Sequence, residues 1–246
     1  NVITTNNYYV TPNILKRAGE EIRFEELTQL SIDLAKEASK DYEALIAGSF
    51  PPIETSFRPD LTPKDEALSQ FYSSIGSIME NEVDLIICET MSSIREGIQA
   101  ASTAKQYSDR VWLSWTTRGL NGEALPSGES LIDAVNAANE LNIECQLINC
   151  SAMDIVTAQI DTLKLAGKFG VFANSCILKN PINDLGEAFD IDENHHANTV
   201  TVSPKEYALE AKKWIDKGAY VIGGCCSTGP EHIKEISKLN TAALFS

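Results

Sequence analysis

The strongest constraint on this chain is a regular alternation of short apolar runs with longer amphipathic ones. The apolar runs fall at 2–5, 44–49, 83–88, 111–115, 143–148, 169–173 and 219–222. Helical periodicity fills the intervals, at 25–39, 62–81, 130–141, 153–165, 203–217 and 230–239, with a further helix opening after Ser93. A run as nearly apolar as 83–88 has no polar face to turn toward water, so it predicts a strand covered on both sides. Strands separated by helices pair in parallel through right-handed crossovers, which predicts a single sheet packed under helices. Ser93 with Glu96, and Ser203 with Glu206, have the spacing of capping boxes at two of the helix starts.

Two α/β architectures satisfy this alternation: an open doubly wound sheet and a (β/α)8 TIM barrel. The barrel is expected for three reasons. The 246 residues match the size of such a barrel, about 250 residues. No G-x-G-x-x-G follows a strand. Polar residues gather at the C-terminal ends of many strands, at Thr5, Asn6, Ser49, Glu89, Thr116, Asn149, Cys150, Asn174, Ser175, Cys225 and Cys226. A site assembled from many strand ends belongs at the top of a barrel. Seven strands are counted where a barrel has eight, so the first βα unit is expected upstream of the residues given. No linker divides the chain, and one domain over 1–246 is expected. The segment from Cys176 to Val202 departs from the alternation and reads as a long loop, a length that is usually functional.

A net charge of −15 excludes nucleic acid and anionic membrane surfaces as partners, because both select basic patches. No 18-residue apolar run predicts a membrane span. There is no basic stretch leading into an apolar segment, as a secretory signal would have. Six cysteines are too sparse for a disulfide scaffold and fit a reducing cytoplasm. Cys88, Cys145 and Cys176 lie in apolar runs and read as small buried hydrophobes.

The chemistry concentrates near the end of the chain, in Val221-Ile222-Gly223-Gly224-Cys225-Cys226-Ser227-Thr228-Gly229-Pro230. Neighbouring side chains in a strand point to opposite faces, so two adjacent thiols meet at one point only if the backbone leaves that geometry. Gly223 and Gly224 are expected to give it that freedom. The turn reads as a metal site, with Cys150 at another strand end as third ligand; three thiolates and one open position suit catalytic zinc. A buried cysteine pair or a redox-active vicinal dithiol would have the same spacing. Glu89 ends an apolar strand, where a carboxylate is costly unless a charged group meets it. Tyr8 is placed to wall a pocket. His195 and His196 read as exposed loop residues, and Trp112 and Trp115 as core or rim.

These stretches together resemble the homocysteine S-methyltransferase family. Gly223-Gly224-Cys225-Cys226 with Thr228, Pro230 and Ile233 is similar to its C-terminal signature. Ile3-Thr4-Thr5-Asn6 with Tyr8, Ala47-Gly48-Ser49, Cys88-Glu89-Thr90, Asn149-Cys150 and Asn174-Ser175 resemble its other strand motifs, so the likeness covers essentially the whole chain. The resemblance implies a zinc barrel that binds homocysteine as a thiolate and methylates it to methionine. It implies Zn2+ on Cys150, Cys225 and Cys226 and the substrate amino group on Glu89. Thr5, Tyr8, Asn149, Asn174 and Ser175 fall on the motifs that would line the substrate site. The chain departs from the family in two places. The D-G-G/A-M-x-T-x-L first strand is absent, and Cys176 and Ile177 follow Asn174-Ser175 where the family often has Gly and Glu.

The acidic residues Asp184, Glu187, Asp190, Asp192 and Glu193 of the long loop would attract a cationic methyl donor and repel an anionic folate. S-methylmethionine is therefore expected ahead of betaine. Two other readings stand beside this one. The Gly-rich turn before a helix could hold phosphate, giving a barrel enzyme for a phosphorylated substrate. That reading lacks a Lys at a strand end to form a Schiff base. A non-catalytic zinc or redox barrel would need the thiols and nothing else.

Overall fold

Every strand of the main sheet runs parallel to its neighbours, and the sheet follows chain order without a reversal. The computed structural model describes residues 1–118, 125–179 and 199–239. In chain order the elements are β1 (Val2–Thr4), α1 (Pro12–Ala18), α2 (Phe24–Ser39), β2 (Leu45–Phe50), α3 (Asp65–Met79), β3 (Leu85–Met91), α4 (Ile94–Ala104), β4 (Val111–Trp115) and α5 (Leu131–Glu140). They continue with β5 (Cys145–Ala152), α6 (Met153–Leu163), β6 (Phe169–Asn174), β7 (Cys176–Leu178), β8 (Thr199–Thr201), α7 (Pro204–Asp216), β9 (Val221–Ile222) and α8 (Pro230–Ile236). The seven-stranded sheet has the order β1-β2-β3-β4-β5-β6-β9. Right-handed crossovers that always step the same way put every helix on one face. The other face can then leave water only by curling on itself, and the sheet forms a curved half-barrel wall.

The two faces separate cleanly in the packing. Ile86, Cys88, Leu113, Trp115, Ile148, Val171 and Ala173 join the large core beneath the helices. Ala47, Leu85, Ile87, Trp112, Cys145 and Leu147 form a second cluster on the concave face, with Val2, Leu45, Phe172 and Val221 packed against it. Two residues beyond this concave floor, the period-2 repeat brings up Ser49, Glu89, Ser114, Asn149 and Asn174. A polar tier therefore sits on an apolar floor at the C-terminal ends of five adjacent strands.

Three local features differ from expectation. Pro12–Ala18 is a helix, started by a proline at its first turn and stopped by Gly19 in the left-handed region at φ 70°. Its seven residues are too few to register as a period. The segment 176–202 is not loop throughout: β7 and β8 pair antiparallel, Cys176 with Thr201 and Leu178 with Thr199. The acidic residues at 184, 187, 190, 192 and 193, and both histidines, lie outside the described residues. Ser93 caps α4 by accepting from the Glu96 amide, but the Glu96 carboxylate does not return to it. That carboxylate is buried and accepts from Ile53 N at 3.1 Å and Thr62 Oγ1 at 3.0 Å, fixing the loop after β2. The Ser203–Glu206 box at the start of α7 is complete. Among the described residues, no helix is long and apolar enough to cross a membrane.

The opposite end of the sheet carries an ion-pair ladder. Arg110, Glu144, Lys168 and Tyr220 each immediately precede a strand (β4, β5, β6 and β9). Glu144 accepts from Arg110 Nε and Nη2 at 3.0 and 3.2 Å and from Lys168 Nζ at 3.0 Å, and that ammonium lies 3.9 Å over the Tyr220 ring. The Arg110 guanidinium, with Lys168 second, holds the Glu144 carboxyl down at about 2. A carboxyl depressed below its unfolded value, about 4.3, stabilises the fold at neutral pH. That contribution fades as pH falls toward 2. Glu144→Gln is expected to lower the unfolding free energy at pH 7 by about 1 kcal/mol, a figure discounted for the solvent exposure of its partners. Urea titrations at pH 7 and near pH 2 should show the gap at the first and none at the second.

Candidate metal centre and substrate site

The three thiols of Cys150, Cys225 and Cys226 all lie within 4.8 Å of one another, with Cys150 Sγ and Cys226 Sγ 3.6 Å apart. None of the three cysteines is in a disulfide. Zinc–thiolate bonds of about 2.3 Å in a tetrahedron put sulfurs about 3.8 Å apart. The spacing thus suits one metal ion, and the donor set suits a thiophilic one.

Local backbone conformation makes the meeting possible. Along β5 the concave positions are 145, 147 and 149, so strict alternation would send Cys150 toward the helices. Cys150 instead has φ 55°, a left-handed conformation unusual for a non-glycine residue. The turn inverts the side-chain direction and frees the thiol to meet Cys226. Thr90, in the matching place on β3, has φ 59°. Asn149 locks the two turns together: its Oδ1 accepts from Thr90 N at 2.9 Å and Ser114 Oγ at 2.7 Å, and its Nδ2 donates to Thr90 Oγ1 at 2.7 Å.

The Gly-Gly-Cys-Cys turn works differently from its sequence reading. Neither glycine has positive φ; the left-handed residue is Ser227, at φ 62°. The glycines are required for close approach. A Cβ on Gly223 would come within 2.8 Å of the Phe172 ring, and one on Gly224 within 2.6 Å of Thr228. The end of β6 holds the turn from the side. Cys225 N donates to Ala173 O at 2.9 Å, Cys226 N to Asn174 Oδ1 at 3.0 Å, and Ser175 N to Cys226 O at 3.1 Å. Ser175 Oγ donates to Ser227 O. Asn174 and Ser175 thus act on the cysteines, and Asn149 on the strand ends. These hydrogen bonds position the thiols and the strand ends around the site that the sequence marked for substrate.

Glu89 rises from the polar tier on the same side as the thiols. Ser49 Oγ donates to Glu89 Oε1 at 2.5 Å. Behind it, Thr5 Oγ1 accepts from Ser49 N at 2.9 Å and donates to Asn7 Oδ1 at 2.7 Å, while Asn7 Nδ2 donates to Ser49 O at 3.0 Å. Thr5 therefore supports Ser49 rather than facing the cavity. The carboxyl keeps some exposure at its tip, yet burial pushes it up to about 7, against the opposing hydrogen bond from Ser49. Among the described residues no Lys, Arg or His ion-pairs with it, so a cation supplied from outside is its natural partner.

Two tyrosines stand over the site. Burial, then repulsion from Cys150 and Glu89, raises Tyr8 well above the usual phenol value, so it is neutral; its hydroxyl lies 2.6 Å from Ser56 Oγ. Tyr9 packs edge-on against Tyr8 and is 66% exposed, beside all three thiols. Trp112 and Trp115 are both core residues. Sequence reasoning passed over Asn7, Ser56 and Tyr9. Tyr9 followed Tyr8 visibly, but nothing in the sequence marked Ser56, which reaches the mouth only because Glu96 pins its loop.

A parallel α/β wall thus carries, at its C-terminal rim, a thiol triad that could hold a metal ion, a carboxylate and two tyrosines, the layout of an enzyme site. The homocysteine S-methyltransferase family model matches residues 1–239, and the chain belongs to that family. Its activity is methyl transfer to the thiol of homocysteine. It is 27% identical to homocysteine S-methyltransferase 1 of Brassica oleracea var. italica, over 96% of this chain and 78% of that one. It is 28% identical to homocysteine S-methyltransferase of Escherichia coli strain K12, over 93% of this chain and 76% of that one. The crystal structure of the homocysteine methyltransferase MmuM from Escherichia coli, metallated form, is similar with TM-score 0.73 and 25% identity, covering 96% of this chain and 78% of that one.

Proposed function

We propose that Cys150, Cys225 and Cys226 hold one Zn2+ ion and that the chain makes methionine from homocysteine and a small cationic methyl donor. The observation that carries this reading is the thiol triad, three sulfurs from two strand ends within 4.8 Å of one another. Zinc bound there would keep the substrate sulfur as a thiolate at neutral pH, where a free thiol near ~8.5 is mostly protonated.

The remaining roles belong to the chain. Glu89 accepts the substrate ammonium, a cation that lets its carboxyl ionise. Tyr8 walls the pocket with an apolar ring. The new bond forms between the homocysteine sulfur and the methyl carbon as the donor's own bond to that carbon breaks, and the electron pair leaves on the donor. The protein's part is to hold the two in line and exclude water. No acid or base is needed once the thiol proton has gone.

S-methylmethionine is proposed ahead of betaine, because it carries a net positive charge toward a chain of net charge −15. The finer fold is proposed as a (β/α)8 barrel in one domain over 1–246. Its eighth strand would join β1 to β9, the two edges of the sheet order. Six cysteines, none of them in a disulfide, support a reducing cytoplasm as its location. The phosphorylated-substrate reading loses ground to the family assignment, as does the non-catalytic barrel. The test is metal analysis followed by a donor panel with homocysteine. One zinc per chain and methionine formed from S-methylmethionine are expected. A metal-free purified protein, or turnover with a methyl-folate alone, would overturn the reading.

A further inference from the structure

We propose that Tyr207, a helix residue 18 positions before the first cysteine of the turn, is a positioning residue for the metal triad. It rests on the assignment of the triad as a metal site. Tyr207 lies in the second turn of α7 and is fully buried. Its hydroxyl reaches two backbone carbonyls at once, Ala173 O at 3.0 Å and Gly223 O at 2.9 Å. Ala173 O also accepts the Cys225 amide at 2.9 Å. One phenol thus clamps the end of β6 to the start of the cysteine turn, at the carbonyl that holds Cys225. The paired register of β6 and β9 covers Gly170 with Val221 and Val171 with Ile222, and Gly223 N to Val171 O and Cys225 N to Ala173 O, both at 2.9 Å, carry the contact on to the turn that the phenol clamps.

The phenol is itself held on two sides. The Trp214 and His232 rings both pack edge-on against it, with centroids 5.8 Å away in each case. Trp214 is tied by its Nε1 to Thr157 Oγ1 at 2.8 Å, and His232 Nδ1 accepts from Gly229 N at 3.1 Å at the start of α8. The helix that follows the turn and the helix that precedes it therefore meet at Tyr207. Burial pushes its hydroxyl far above the usual phenol range, so it stays a donor at any pH the fold survives. A thiol triad whose spacing depends on this clamp binds its metal less tightly when the clamp is removed, although no ligand has changed.

The variant Tyr207→Phe keeps the ring and removes only the hydroxyl. Zinc affinity is read by chelator competition, and triad geometry by the thiolate-to-cobalt charge-transfer bands of the cobalt(II) form. About a tenfold or greater loss of zinc affinity is expected, in the range of other groups that orient ligands, together with altered cobalt bands. Thermal unfolding of the metal-free protein should move little. His232→Leu is the milder probe, since it leaves the hydroxyl and removes one ring that fixes its tilt. It should weaken zinc binding about threefold, less than the 10–100-fold typical of groups that orient a ligand directly. Unchanged affinity and bands in Tyr207→Phe, or in His232→Leu should the first variant not fold, would overturn the proposal. Wild-type protein that binds no zinc would instead overturn the metal assignment on which it rests.

Discussion

Cys226→Ser is expected to cost about 100-fold or more in zinc affinity, since even groups one bond removed from a ligand cost 10–100-fold, and to abolish methyl transfer. A serine hydroxyl does not ionise near neutral pH and cannot replace a thiolate. The two remaining sulfurs would leave the ion with two open positions instead of one. Elemental analysis after dialysis against a weak chelator checks the first outcome, and methionine formation the second. Full zinc retention in the variant would remove Cys226 from the ligand set. Cys88→Ser is the matched control. Cys88 lies in the core beneath the helices, one residue before Glu89 and on the other face of β3. Burial pushes its thiol far up, so it stays neutral and offers nothing to a cation. That variant should keep its zinc and lose about 1–3 kcal/mol of stability, because a hydroxyl replaces a thiol in an apolar site.

The contrast between these two cysteines shows what the sequence made legible. Period-2 alternation in β3 separates Cys88 from Glu89 without coordinates, and the strand–helix alternation is enough to predict the parallel sheet. The five longest strands start within two residues of their predicted places. The cysteine triad is legible too, because Cys225 and Cys226 sit at the end of a strand and Cys150 at the end of another. What the sequence hides is how the thiols reach each other. The left-handed turns at Cys150 and Ser227 carry no sequence mark, since neither residue is a glycine. The two glycines that invite a conformational reading are there for space, beside Phe172 and Thr228. Hydrogen-bond partners across strands are equally silent. Asn149, Asn174 and Ser175 look like rim residues in the sequence, and only register shows that they face protein atoms. Tyr207 reads as one apolar position in an amphipathic helix, and its hydroxyl finds the turn only in three dimensions.

Glu89→Gln is expected to weaken homocysteine binding by about 1.5–3 kcal/mol, the worth of a hydrogen bond to a charged group, which is about 10- to 150-fold in Kd. The metal should be unaffected, because Glu89 is not among the triad. The substitution suits the site. Glutamine keeps the length and the oxygen that accepts from Ser49 Oγ, so the network through Thr5 and Asn7 survives. What it removes is the capacity to become an anion. In the free protein that capacity is held back, since burial keeps the carboxyl near 7. An ammonium arriving beside it reverses the balance, and the attraction grows because the site is already shielded from water. A substrate without an amino group gains nothing from this exchange. Titration calorimetry on the zinc-loaded protein should therefore show wild type and variant differing with homocysteine and agreeing with 4-mercaptobutyrate, which keeps the thiol and the carboxylate and lacks the amine. Equal homocysteine affinity in the two proteins would make Glu89 a support of the strand ends and not a substrate contact. A loss shared by both thiols would assign it to the metal environment instead.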